Sequence, residues 1–146
     1  MDTTVTPAAP VAAQASLPPG VPVVRTIAMP ADTNPAGDIF GGWLMCQMDL
    51  AAGTAAARYA RGRCATVAVE SIQFRSPVKV GDEVAVWAEL LSVGRSSMRF
   101  QVSVWRRTHD SDIAIRVTDA VFVFVALDAQ GRPRALPEHV PAAQGA

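Results

Sequence analysis

The sequence predicts an α+β domain in which one long helix packs on a five-stranded antiparallel sheet. Three observations predict it. The stretch from Gly41 to about Arg61 is alanine-rich and free of proline, the composition of a helix. After it the hydrophobic period changes to two, in four runs joined by short turns, the pattern of an antiparallel meander. One short β-branched run precedes the helix, and strands grouped around a lone helix belong to the α+β class.

In chain order, Val23 to Ala28 is the first strand. Pro30 to Asp38 follows as a structured loop, punctuated by Pro30, Asp32, Asn34, Pro35, Gly37 and Asp38. The helix then runs to about Arg61, with Gly62 as its expected stop and Arg58 and Arg61 in the last turns, where the dipole favours cations. Ala65 to Phe74 reads as a strand ended by Pro77, and Gly81-Asp82 as a turn. Glu83 to Val93 is a long strand, followed by a turn at Gly94-Arg95-Ser96. Met98, Phe100, Val102 and Val104 alternate with Arg99, Gln101 and Ser103, which predicts one buried and one wetter face. After a turn at His109–Asp112, Ile113 to Leu127 is the last strand. Its Val121-Phe-Val-Phe-Val125 segment is apolar on both faces. One helix cannot cover both, so the outer face is expected to pack on a second copy of the chain.

At 146 residues, half of them hydrophobic, the chain suits one domain with a real core. The domain is expected over 23–136, with an Ala/Pro-rich disordered tail over 1–22 and a flexible tail over 137–146. Thirteen basic residues balance thirteen acidic ones, so no net field recruits nucleic acid or a membrane surface. The first 22 residues lack the basic start and apolar run of a signal peptide, and no stretch reaches the ~18 apolar residues of a membrane span. Cys46 and Cys64 fit reduced cytoplasmic thiols, although a bridge between them is compatible with the sequence.

Asp49 stands out within the helix. At ~100° per residue it lies about 160° from Gln47, whose side of the helix also carries Thr54, Arg58 and Arg61. The acid is therefore expected on the apolar side, among Met45, Cys46, Ala52 and Ala56. A buried carboxylate needs a partner, a raised pKa or a wet cavity, so it is either a structural acid satisfied by an Arg or backbone group, or a catalytic base. Gly37, Gly41 and Gly42 at the helix start suit a close backbone approach, and the free N–H groups of Gly41 and Gly42 suit an anion or a developing oxyanion. Eight residues of helix separate Gly41 from Asp49, roughly 12 Å. Two groups that both touch one reacting centre cannot be so far apart, so a site using both needs two subunits.

Several blocks together resemble the YciA-type bacterial acyl-CoA thioesterases, members of the hot-dog-fold acyl-CoA hydrolase class. They are Met29-Pro-Ala-Asp-Thr-Asn-Pro-Ala-Gly-Asp-Ile-Phe-Gly-Gly-Trp43, Gln47-Met-Asp49, Val67-Ala-Val-Glu-Ser-Ile-Gln-Phe74, Pro77-Val-Lys-Val-Gly-Asp82, Val93-Gly-Arg-Ser-Ser97 and Thr118-Asp-Ala-Val-Phe122. The resemblance runs from about Arg25 to Pro137. It implies hydrolysis of acyl-CoA to a free acid and CoA, with no metal or cofactor beyond the CoA of the substrate. It implies Asp49 as the catalytic acid and the N–H groups of Gly41 and Gly42 as the oxyanion site. Asn34 enters as a group positioning substrate or water. Asp38 stands where related enzymes carry a functional Asn, which leaves its own role open. The Arg95-Ser96-Ser97 turn is implied to hold CoA phosphates. The resemblance also implies a dimer joined sheet edge to sheet edge, assembled further as a trimer of dimers.

Asp49 can act as general base on water or attack the thioester itself to form an anhydride, and the sequence leaves both routes open. A Ser or Cys hydrolase is disfavoured: no GxSxG elbow is present, and the histidines, His109 and His139, lie in a turn and the tail. A non-catalytic acyl-CoA sensor on the same fold is the alternative from another class. It is disfavoured by the intact Asp49 and by the absence of a basic DNA-binding segment at the start.

Overall fold

The computed structural model describes residues 16–139. The elements run β1 (Val24–Ile27), α1 (Gly41–Ala60), β2 (Cys64–Phe74), β3 (Glu83–Val93), β4 (Ser97–Arg107) and β5 (Ile115–Ala126), with a short 3₁₀ turn at Pro30–Asp32. All pairings are antiparallel and the sheet order is β1-β3-β4-β5-β2. The anticipated helix and five strands are all present. β3 to β5 form hairpins, while α1 carries the chain from one edge strand to the other across one sheet face and touches all five strands.

The helix packs through Leu44, Met48, Ala51, Ala52, Ala56 and Ala60. Their mostly methyl-sized side chains let the helix lie close to Phe100, Val102, Phe122 and Phe124. Phe122 and Met48 are among the largest fully buried side chains, and burying each contributes roughly 1.5–3 kcal/mol. Along β5 the alternation is clean: Ala120, Phe122, Phe124 and Ala126 face the helix, while Val121, Val123 and Val125 on the outer face are only half-buried. The chain's own helix therefore leaves that outer face open, as the two-faced apolar pattern anticipated.

A second, smaller cluster, Ala85, Trp87 and Trp105, lies on the outer side of the sheet. Residues 16–22, within the expected tail, form neither helix nor strand. They lie against this cluster, and Trp87 Nε1 donates to the Gly20 carbonyl at 3.3 Å. The rest of that expected tail, 1–15, and residues 140–146 of the other lie outside the described residues.

The helix stop differs from expectation by one residue. Arg61, not Gly62, adopts the left-handed conformation (φ 56°, ψ 40°), and the Gly62 N–H then donates to the Ala57 carbonyl at 3.1 Å. Gly62 instead leaves room for a side chain: a Cβ there would come within 2.9 Å of Arg134 Nη2 and push the guanidinium tip aside. Both cysteines are free thiols.

Candidate active site

The helix start is built by the loop before it. The Asn34 Oδ1 accepts the N–H groups of Ala36 (3.0 Å) and Asp38 (3.1 Å), and the Asn34 N–H donates to the Asp38 carbonyl at 2.7 Å. Gly37 turns the loop with φ 89°, a conformation that suits glycine. The Ile39 N–H donates to the Val78 carbonyl at 3.0 Å, which docks the loop on the turn before β3. That turn is held by Asp82, buried to 3 % exposure, whose Oδ2 accepts the Lys79 N–H at 3.0 Å. Lys79 in turn pairs its ammonium with the Asp38 carboxylate. Asn34 and Asp38 are thus placed as residues that shape the loop, with the Asn34 oxygen fully committed to it.

The helix begins without a side-chain cap. Phe40 occupies the N-cap position at φ −57°, ψ 135° and offers no acceptor. The Trp43 and Leu44 N–H groups donate to the Phe40 carbonyl at 3.1 and 3.3 Å. The N–H groups of Gly41 and Gly42 have no acceptor among the described residues. Phe74, at the end of β2, places its ring edge 3.4 Å from where a Gly41 Cβ would sit, a van der Waals contact. Two donors at the positive end of a 20-residue helix, beside an exposed aromatic ring, can receive negative charge from a ligand.

Asp49 corrects one expectation. In the single chain it is exposed rather than buried. The stripe through Leu44, Met48, Ala52 and Ala56 faces the sheet, and Asp49 sits at its flank, over the edge strand β2. Of the expected neighbours, Ala52 and Ala56 are buried while Met45 and Cys46 are exposed. The Thr66 hydroxyl donates to Asp49 Oδ1 at 2.6 Å, fixing the carboxylate and leaving its second oxygen free. Met45 and Leu50 on the same helix and Val67 beside Thr66 are exposed apolar side chains, and Val69 and Phe74 continue the exposed apolar run along β2 toward the helix start. A carboxylate set beside exposed apolar side chains is the arrangement a second subunit would enclose.

Sequence reasoning missed Thr66. It lies 17 residues from Asp49, and no spacing rule joins a helix residue to a hydroxyl in the next strand. The β-bulges of β2 were equally hidden. One register shift falls between Thr66 and Ala68, beside Asp49; the other falls between Glu70 and Gln73, just before Phe74. Ser71, within the second, has φ 53°, strained for a residue with a side chain. Glu70 and Asp119 serve as ion-pair partners, Glu70 for Arg99 and Asp119 for Arg75 and Arg116.

The structure does not bring all the candidates together. The Arg95-Ser96-Ser97 turn joins β3 to β4 at the end of the sheet where α1 stops, since Ser97 pairs with Val125 and Ala126 with Cys64. Gly41 and Gly42 lie at the other end, with Phe74. Asp49 lies between them. Arg95 is exposed and has no carboxylate partner among the described residues. No described helix is long and apolar enough to cross a membrane.

The Thioesterase superfamily profile matches residues 36–112, which include Asp38, the helix and the Arg95 turn. The acyl-CoA thioester hydrolase YciA of Escherichia coli K12 is 46% identical over 125 residues, 84% of this chain and 95% of that protein. Among solved structures, an aspartate-to-alanine variant of HI0827, a hexameric broad-specificity acyl-coenzyme A thioesterase, superposes with a TM-score of 0.78 at 50% identity, covering 81% of this chain and 87% of its own. A hexameric hot-dog-fold thioesterase of Campylobacter jejuni, Cj0915, superposes with a TM-score of 0.77 at 35% identity, covering 81% and 91%.

Proposed function

The chain belongs to the thioesterase superfamily, as a hot-dog-fold acyl-CoA thioester hydrolase of the YciA type, and from that premise we propose how its residues divide the reaction. Asp49 is the catalytic carboxylate. The Gly41 N–H, assisted by that of Gly42, is the oxyanion donor, and each site takes Asp49 from one subunit and Gly41 from another. The observation that carries this reading is the uncapped helix start eight residues before Asp49: two free donors and one oriented carboxylate, too far apart to serve one carbonyl within a chain.

In the water route, the free oxygen of Asp49 accepts a proton as water attacks the thioester carbon. The carbonyl oxygen becomes an oxyanion held by the helix-start N–H groups. The C–S bond then breaks, and the CoA thiolate leaves and recovers the proton from Asp49. In the anhydride route, Asp49 attacks the same carbon, expels thiolate and is freed by water. A single turnover in ¹⁸O-water places label in the Asp49 carboxylate only by the second route. The Thr66 hydroxyl holds the carboxylate in either case. Replacement of an aspartate in HI0827 supports an aspartate-dependent reaction. Arg95, Ser96 and Ser97 take the CoA phosphates, where an unpaired guanidinium and two hydroxyls suit phosphoryl oxygens. Asn34 and Asp38, with Lys79, hold the loop that aims the oxyanion donors.

The dimer joins two sheets through their β2 edges, and three dimers form the complete assembly. The free β2 edge and the apolar Val67, Val69 and Phe74 along it support the first step. The hexameric state of HI0827 and Cj0915 supports the second. The two free thiols support a cytoplasmic location.

Release of free thiol from acyl-CoA tests the whole reading. Asp49→Asn is expected to lower kcat by about 10²–10⁴-fold. Mixing it with Gly41→Pro, in equal amounts with random reassociation, leaves one intact site in each mixed dimer and restores about a quarter of wild-type activity. Two inactive parents that stay inactive when mixed would disprove the shared site.

A further inference from the structure

Arg58, Arg61, Arg63, Arg95, Arg132 and Arg134 have no ion-pair partner among the described residues, and all six gather where α1 ends and β3 turns into β4. Five are free to meet a polyanion. Arg134 is not: its Nε donates to the Leu127 carbonyl and its Nη2 to the Ala60 carbonyl, each at 2.9 Å. It spends its guanidinium on joining two pieces of backbone.

The rest of the chain end behaves the same way. The Leu136 N–H donates to the Arg95 carbonyl at 2.8 Å, and the Leu136 side chain packs on the core. The His139 ring stacks on Tyr59 with centroids 3.7 Å apart, and its Nε2 lies 2.8 Å from the Tyr59 carbonyl. Among the described residues, the other backbone bonds of the turn outside the strand ladders are those from the Gly94 N–H to the Ser97 carbonyl and from the Ala126 N–H to the Ser96 carbonyl.

We propose that residues 132–139 form a brace that fixes the Arg95 turn against the end of α1, with Arg134 as the positioning residue, so that the turn is already set for the nucleotide phosphates of coenzyme A. The proposal rests on the reading that Arg95, Ser96 and Ser97 take those phosphates. Gly62 belongs to the same device. Its missing Cβ leaves room for the Arg134 guanidinium, which a larger residue would displace from the Ala60 carbonyl. A turn set in advance loses less freedom when phosphate binds, so the gain appears as substrate affinity and not as rate of the chemical step.

The test compares acyl-CoA with the acyl-pantetheine thioester of the same acyl group, which lacks the nucleotide. Arg134→Met and Gly62→Ala are measured beside Arg95→Ala by thiol release. Gly62→Ala displaces a side-chain tip without requiring any other backbone conformation, so it reports even if Arg134→Met folds poorly. Arg134→Met and Gly62→Ala are expected to raise KM for acyl-CoA about tenfold, hold kcat within about twofold, and move KM for acyl-pantetheine by less than about twofold. Equal effects on the two substrates, or no effect while Arg95→Ala selectively weakens acyl-CoA, overturn the brace. If Arg95→Ala does not discriminate between the substrates, the phosphate reading of the turn falls, and the brace with it.

Discussion

The two ends of α1 treat their backbone in opposite ways. At the far end all four last carbonyls are satisfied: Ala57 and Arg58 by the Arg61 and Gly62 turn, Tyr59 by His139, and Ala60 by Arg134. At the near end two of the first four N–H groups, those of Gly41 and Gly42, find no acceptor among the described residues, and the N-cap residue is a phenylalanine. A Ser, Thr, Asp or Asn at the N-cap would stabilise the helix by about 1 kcal/mol. The contrast teaches that the open donors are not a product of weak helix design, because the same helix has its backbone groups satisfied at its other end, where the groups free for an anion are side chains. On the proposed reading, the stability forgone at that end is what leaves two donors open to a transient anion.

Gly41→Pro breaks the comparison most severely. Proline is welcome at the first helical position, and the φ −57°, ψ 135° of Phe40 already suits a residue before proline. The helix is therefore expected to keep its stability, within about 1 kcal/mol by thermal melt, while kcat falls about 10²–10³-fold through loss of one oxyanion donor. A stable variant with undiminished kcat would show that the Gly41 N–H is not that donor.

Phe40→Asp sharpens the comparison from the other side. It makes the near end resemble the far one by supplying a cap, which should raise stability by about 0.5–1 kcal/mol. The same carboxylate occupies the open donors and opposes negative charge, so kcat is expected to fall by about tenfold or more. A variant both more stable and fully active would refute the trade.

The smallest effect concerns the two thiols. Burial pushes the Cys64 thiol up, against the lowering influence of the nearby Arg134 guanidinium, while Cys46 on α1 is exposed in the single chain. Iodoacetamide at pH 8 is expected to label Cys46 before Cys64, read by peptide mass spectrometry. The sign for stability follows from the raised value: the folded state holds the proton more tightly than the unfolded chain. Its contribution is present below the ordinary thiol range and is lost as pH rises through the raised one. Preferential labelling of Cys64 would contradict this.

Much of this asymmetry was legible in the residues. The glycines at the start of a proline-free alanine-rich run mark the open end, and the distance from Gly41 to Asp49 follows from helix geometry alone. The limits of β3 are those the alternation gives, Glu83 to Val93. Other features are not local. Asp49 lies on the apolar side of the helical wheel yet is exposed, because it sits over β2, the edge of the sheet, where no further described strand covers it. Whether a strand is an edge depends on which strands pair, and periodicity carries no such information. Arg61 takes the left-handed position that Gly62 would be assigned by propensity, and Gly62 instead lies beside Arg134, a neighbour 72 residues further along the chain that no local pattern reveals. Thr66 was invisible for the same reason: its value lies in a partner across the helix–sheet interface.

The strand order also dictates when the site comes into being. β3, β4 and β5 are joined by short turns and can pair as soon as each is made. β2 precedes them in the chain but docks on β5, so its register, from Phe74 opposite Thr118 to Cys64 opposite Ala126, closes only after the last strand exists. Until then Thr66 and Phe74 have no fixed place beside Asp49 and Gly41. A ribosome that has not yet released β5 therefore carries a chain whose candidate site residues are synthesised but not assembled, with an apolar strand waiting for its neighbour.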